Sequence, residues 1–144
     1  MFRPPIAMAA LVLMLTACVL SGCGGNRRQG VEVEGVVTLD GRPLESGTIA
    51  FRPASGTTSP SAGAKIEAGR FALPADDGPF AGEFLVEITA RRDSGRRVVD
   101  PNSGALLSIP EQYLPARYNE QTELTATIGT DAANQLTFHL ESNP

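Results

Sequence analysis

Residues 31–41 read Val31-Glu32-Val33-Glu34-Gly35-Val36-Val37-Thr38-Leu39-Asp40-Gly41. A period of two places Val31, Val33, Gly35, Val37 and Leu39 on one face and Glu32, Glu34, Val36 and Thr38 on the other, the mark of a half-buried β-strand. The run stops at Asp40-Gly41, a strong turn dipeptide. Downstream, Thr48-Ile49-Ala50-Phe51-Arg52 predicts a second strand with Ile49 and Phe51 on one side and Pro53 ending the ladder. After a Ser/Thr/Gly/Pro loop over residues 54–61, Ala64-Lys65-Ile66-Glu67 and Arg70-Phe71-Ala72-Leu73 flank Ala68-Gly69, a tight hairpin.

Residues 83–90 give the clearest strand, with Phe84, Val86 and Ile88 opposite Glu83, Leu85, Glu87 and Thr89. Leu124-Thr125-Ala126-Thr127-Ile128 and Gln135-Leu136-Thr137-Phe138-His139-Leu140 bring the number to seven. Seven short strands separated by turn signals predict an all-β chain, a sandwich or a barrel. Residues 91–118 are the exception. Pro110 and Pro115 exclude a sustained helix there, so the stretch predicts a long excursion. Its first half is expected to be mobile, and its second half to dock through Ile109, Tyr113, Leu114 and Tyr118.

The chain has 144 residues, with 15 Gly and 11 Pro, which is turn-rich without being low in complexity. That length suits one domain. A net charge of −4 excludes bulk electrostatic attraction to nucleic acid, which needs many cationic contacts to phosphate.

Val33-Glu34-Gly35-Val36-Val37-Thr38-Leu39-Asp40-Gly41-Arg42-Pro43-Leu44, then Gly47-Thr48-Ile49-Ala50-Phe51-Arg52-Pro53, Gly69-Arg70-Phe71 and Gly82-Glu83-Phe84-Leu85-Val86-Glu87-Ile88, resemble a carboxypeptidase regulatory-like domain. The resemblance implies a seven-stranded antiparallel β-sandwich, transthyretin-like and Ig-like in architecture, over residues 31–141. Ile109-Pro110-Glu111-Gln112-Tyr113 and the stretch from Tyr118-Asn119 to Leu124-Thr125-Ala126-Thr127-Ile128 resemble the C-terminal half of small exported bacterial lipoproteins. The matching motifs are turn and core residues, so they imply an accessory or interaction module and carry no catalytic residues. Ala68 departs from the pattern, which often has an acidic residue before the glycine.

The N-terminus combines Arg3, an uncharged run from Ile6 to Leu20, and Leu20-Ser21-Gly22-Cys23. A basic flank, a 15-residue apolar core and small residues form an export signal, too short for a comfortable membrane span. Leu20-Ser21-Gly22-Cys23 resembles a lipobox, implying cleavage after residue 22 and lipidation of Cys23. Leu15-Thr16-Ala17-Cys18 fits the same pattern, but that choice shortens the apolar core and leaves Cys23 as an unpaired thiol in an oxidising compartment. A Cys18–Cys23 disulfide is the remaining alternative and requires both residues to survive processing.

Residues 23–30, rich in glycine and free of aliphatic side chains, read as a flexible tether. Within it, Arg27 and Arg28 are either headgroup contacts or solvated linker charges. The expectation is an exported lipoprotein, anchored in a membrane through acyl chains and facing the periplasm or the cell exterior.

Chemistry is sparse. His139 is the only histidine and points outward by strand alternation, with no triad motif around it. Asp76-Asp77-Gly78 lacks the ligand alternation of a calcium loop and reads as a turn before Pro79. Glu83 and Glu87 share an outer face about 13 Å apart at ~3.3 Å per residue, too far for a retaining acid/base pair. No catalytic residue, metal ligand or cofactor is assigned.

Two clusters point to contacts. Arg91, Arg92, Arg96 and Arg97 surround a Ser94-Gly95 tip, forming either a docking loop for phospholipid heads, acidic glycans or an acidic partner, or a solvated loop. Tyr113, Tyr118 and Phe80 form either an aromatic platform for sugar or the closure of the open end of the sandwich. The leading expectation is a non-catalytic module contacting an envelope protein, with a carbohydrate- or peptidoglycan-binding accessory domain as the alternative.

Overall fold

The computed structural model describes residues 29–130 and 134–143. The signal segment, Cys18, Cys23, Arg27 and Arg28 lie outside the described residues.

All seven expected strands are present. In chain order they are β1 (Val33–Leu39), β3 (Ser46–Pro53), β4 (Ala62–Glu67), β5 (Arg70–Leu73), β6 (Gly82–Thr89), β9 (Thr125–Ile128) and β10 (Asn134–Leu140). They join in the order β10-β1-β5-β4-β3-β6-β9, and the two-residue β2 (Arg42–Pro43) pairs with β1. The described residues are all-β apart from one 3-10 turn, and their main sheet curls around a single core.

Inward positions follow the alternation of the sequence. Val33 and Val37, Ile49 and Phe51, Phe84, Val86 and Ile88, and Phe138 and Leu140 are buried, while Glu83 and His139 face out. A row of rings crosses the core: Phe84 to Phe51 at 6.3 Å, Phe51 to Phe71 at 6.1 Å and Phe71 to Phe138 at 6.4 Å. Adjacent β6 and β3 thus meet β5 and β10, which lie further along the sheet order, through their side chains, at a spacing favoured for tilted and edge-to-face rings.

Two turns use backbone that side chains disfavour. Asp40 and Gly41 (φ 51° and 78°) join β1 to β2, and Ala68 and Gly69 (φ 50° and 75°) join β4 to β5, both two-residue turns with two positive φ values. Gly35 serves a different need: a Cβ there would lie 2.2 Å from the Leu136 carbonyl oxygen and 2.8 Å from the Phe71 ring.

Three features differ from the sequence-based expectation. The first and last strands, β1 and β10, pair in parallel, from Val33 opposite Asn134 to Leu39 opposite Leu140, so the sheet is not antiparallel throughout. Alternation fixes which face a residue takes but not which strand lies beside it.

The first half of the expected excursion is ordered into strands β7 (Arg91–Val99) and β8 (Leu106–Gln112), an antiparallel two-stranded sheet of its own. Pro110 is tolerated because β8 has β7 as its only strand partner among the described residues, leaving an edge without a ladder to break.

The second half docks as expected through Leu114 and Tyr118, which are buried, and Tyr113, which packs on the core. Ile109 does not join that core. It sits in β8, half-buried, and its carbonyl oxygen accepts the Ser94 hydroxyl. A single 3-10 turn, Ala116–Tyr118, carries the chain onward to β9.

Candidate functional site: the arm and the cleft at its root

The arginine cluster lies along a hairpin arm that packs chiefly on itself. Ser94-Gly95 is not the tip. Asp93 pairs with Pro110 and Arg97 with Ser108, so Ser94, Gly95 and Arg96 form a bulge opposite Ile109. Gly95 takes φ 77° there and donates its N–H to Asp93 Oδ1 at 2.9 Å. The reversal falls further on, where Asp100 N–H reaches the Ala105 carbonyl and Gly104 N–H the Asp100 carbonyl, both at 2.8 Å. Asp100 also accepts from the Asn102 N–H and the Ser103 hydroxyl.

The four arginines divide into two kinds. Arg97 binds Asp93 at 2.9 Å and reaches Ser108 Oγ at 3.3 Å. Arg92 binds Glu111 at 2.9 Å and lies 5.5 Å from the Tyr113 ring centre. These two are structural, tying β7 to β8 and the arm to its root. Arg91 and Arg96 are exposed and form no salt bridge among the described residues. The Ser108 hydroxyl, the Gly95 N–H and Arg97 together hold the Asp93 carboxyl down at about 2, so the bulge keeps its charge at neutral pH.

The outer half of the arm is apolar. Val98 pairs with Leu107 and Val99 with Leu106, and these four are 46%, 47%, 62% and 69% exposed. Partners directly opposite in an antiparallel ladder project to the same side, so consecutive pairs place apolar side chains on both faces of the ribbon. The fifth large exposed apolar residue of the described chain, Val36, lies apart on β1. Apolar doublets flanking Asp100-Pro101-Asn102-Ser103-Gly104 are a hairpin signal within the stretch expected as a loop.

The root of the arm is clamped. The side-chain oxygen of Gln112 accepts the Ala90 N–H at 2.9 Å and the Tyr113 N–H at 3.1 Å, and Tyr113 N–H also reaches the Ala90 carbonyl at 3.2 Å. Beside this clamp opens a cleft of about 1070 Å³. Residues 39, 40 and 42–46 line it with Ala68, Arg91, Arg92 and Tyr113. Three guanidinium groups, those of Arg42, Arg91 and Arg92, therefore line one space. Arg42 stands outside the cluster that the sequence reading singled out, and only the folding of β2 against β1 brings it there.

The remaining sequence candidates are dispersed. Tyr118 is 8% exposed, and its hydroxyl accepts the Glu141 N–H, so it closes the core and presents no sugar-binding face. Phe80 sits against Thr57, Thr58, Ser59 and Pro60, away from Tyr113, which lines the cleft. His139 is exposed, with Nδ1 2.8 Å from the Thr38 hydroxyl. Asp76 and Asp77 are exposed in a turn in which Asp77 N–H reaches the Pro74 carbonyl. Glu87 is held by Arg52 at 2.6 Å, which removes it from any pairing with Glu83.

No family model and no curated protein matches the chain. Among solved structures, the chain is similar to a 9R-lipoxygenase from Cyanothece PCC8801, at 13% identity and a TM-score of 0.41. The likeness covers 96% of this chain and 20% of that one, so the chain spans about a fifth of the length of the structure it resembles. At that score the likeness assigns neither a fold family nor an activity.

Proposed function

We propose that this chain is an exported, non-catalytic β module of the cell envelope. In this reading residues 1–22 are removed, Cys23 carries the lipid and residues 23–30 tether residues 31–141 to the membrane. The module is read as a sandwich of the carboxypeptidase regulatory-like type. What supports that finer fold is the core shared by Phe51 and Phe71 across the curl of the sheet, with the sequence motifs that resemble that family. The module works by presentation: the arm reaches away from the sheet and docks on a protein partner.

The observation that carries this reading is the outer half of the arm. Val98, Val99, Leu106 and Leu107 are four of the five large exposed apolar residues in the described chain, and they cluster on one projecting ribbon. Scattered apolar residues on a surface need no explanation, whereas a contiguous patch marks an interaction site. A two-stranded ribbon is marginal in water by itself, so a partner covering it would also stabilise it.

Two measurements test the reading. Mass spectrometry of the native protein is expected to show an N-terminal acylated Cys23; an intact Met1 without fatty acid overturns the anchor. A photo-crosslinker in place of Leu106 is expected to form one discrete adduct in intact envelopes, while the same group in place of Ala72 forms none. Equal labelling from both positions overturns the docking role.

A further inference from the structure

We propose that the protein partner of the arm is a second copy of this chain, joined to the first edge to edge along β7 about a two-fold axis at Val98. The proposal names the partner in the docking role above and rests on that reading.

The hydrogen-bond phase of the ribbon shows which backbone groups are free. Asp100 N–H donates to the Ala105 carbonyl at 2.8 Å, and in the same register Val99 faces Leu106 and Val98 faces Leu107. Bonded and non-bonded positions alternate along an antiparallel pair. Val98 therefore turns its N–H and carbonyl toward β8, whereas Arg97 and Val99 turn theirs to the open side of β7. No strand of the described residues takes them up.

The other edge of the arm is blunted. Tyr113 N–H donates to the Ala90 carbonyl, which marks that pair as bonded, so Pro110 opposite Asp93 falls at a non-bonded position. Its ring nitrogen faces the open side of β8 and has no proton to give, a device that discourages strand addition.

The free run of β7 is short and fits itself. The bulge over Ser94 to Arg96 ends it on one side and Pro101 on the other. An axis at Val98 sets Arg97 of each copy opposite Val99 of the other, so the free groups of both residues are satisfied in both copies. An axis at Arg97 would oppose Val99 to Gly95 in the bulge, and an axis at Val99 would oppose Arg97 to Pro101, which lacks a donor.

Side chains agree with that register. Directly opposed residues share a face, so Leu107 and Val98 of one copy continue into Val98 and Leu107 of the other as one apolar row. The same register sets Arg96, exposed and without a salt bridge among the described residues, beside Asp100 of the second copy. Asp100 is kept charged by the Asn102 N–H and the Ser103 hydroxyl. Opposite charges thus meet, and no like charges are opposed. A two-fold contact of this kind closes on itself and does not propagate into a fibre. The contact is small, but chains confined to one membrane by lipid at Cys23 meet at a raised effective concentration.

The test is disulfide trapping of the full chain in native envelopes. Val98→Cys is expected to give a linked dimer under mild oxidation, because opposed residues at a non-bonded position lie about 4.5 Å apart between Cα atoms, within reach of a disulfide. Leu106→Cys, equally exposed on the arm but on β8, is expected to give none, since its counterpart lies three strand spacings away, roughly 14 Å. Energy transfer between donor- and acceptor-labelled full chains in liposomes is expected to report the same dimer. Arg96→Glu should weaken it about tenfold, as two exposed ion pairs become repulsions. Arg70→Glu, the same charge change on β5, should leave it unaltered.

No dimer from Val98→Cys, equal trapping from Leu106→Cys, or equal weakening by Arg96→Glu and Arg70→Glu overturns the proposal. Capture of a different protein by the photo-crosslinker at Leu106, without trapping at Val98→Cys, overturns self-pairing and leaves the docking role standing. Labelling from Leu106 no stronger than from Ala72 overturns the docking role itself.

Discussion

The phenolic oxygen of Tyr118 accepts the backbone N–H of Glu141 at 3.0 Å. Tyr118 belongs to the 3-10 turn that packs on β6, whereas Glu141 follows β10, at the opposite margin of the sheet order. One side chain thus latches the two ends of the curl. Arg117 reinforces it, lying 4.9 Å from the Tyr118 ring centre and donating to the Asn143 carbonyl at 2.8 Å. Tyr118→Phe is expected to destabilise the chain by about 0.5–1.5 kcal/mol, and Tyr118→Ala, which also empties a buried site, by about 3–5 kcal/mol. Urea unfolding checks both, and equal midpoints for Tyr118→Phe and the unaltered chain would remove the latch.

Gly35 leaves no room for a side chain beneath Phe71 and beside the Leu136 carbonyl. Because one of these neighbours is backbone, Gly35→Ala must shift β1 against β10. A loss of about 1–3 kcal/mol is expected, read from thermal unfolding. A neutral result would mean that the parallel β1–β10 pairing is looser than described.

Ala68 holds φ 50° with its side chain exposed, in the left-handed region that most L-residues avoid. Asn tolerates that region better, so Ala68→Asn is expected to stabilise by about 0.5–1 kcal/mol. Ala68→Val, β-branched at the same φ, is expected to destabilise. The pair of midpoints is informative because the two changes must move in opposite directions.

Acid is expected to loosen the arm. The folded Asp93 carboxyl has a pKa of about 2, below its ordinary value. Its contribution is therefore fully present above about pH 4 and is lost as pH falls toward 2. The Gly95 amide, hydrogen-bonded to this carboxylate, should report the transition by NMR. Asp93→Asn should abolish that pH dependence, and persistence of the transition in the variant would assign it elsewhere.

The apolar end of the arm contributes contacts outward and little to the core. Val99→Ser with Leu106→Ser is expected to change stability by no more than about 0.5 kcal/mol, since both residues are more than half exposed. A much larger loss would show that the ribbon supports the main sheet.

Much of the fold was legible because side-chain alternation is a local property. Val33 and Val37, or Phe84, Val86 and Ile88, announce their inward face within a few residues, and Asp40-Gly41 and Ala68-Gly69 announce their turns. The arm was missed because the proline and the Ser-Gly pair resemble a loop in sequence. A bulge at Ser94 to Arg96 breaks the period of two that marks a strand. Of the candidate site, the arginines were found as a cluster, but the division between committed Arg92 and Arg97 and exposed Arg91 and Arg96 depends on Glu111 and on the pairing across the bulge.

The sequence alone determined the strand content of this protein, the inward set of side chains and two tight turns, since each follows from period, φ preference and burial within a short window. Tertiary structure alone decided that β1 and β10 run in parallel, that Tyr118 latches the curl, and that Arg42 lines the same cleft as Arg91. Those relationships join residues 23 or more positions apart. Such partners are selected by how the whole sheet closes over its phenylalanines, and no local pattern encodes that choice.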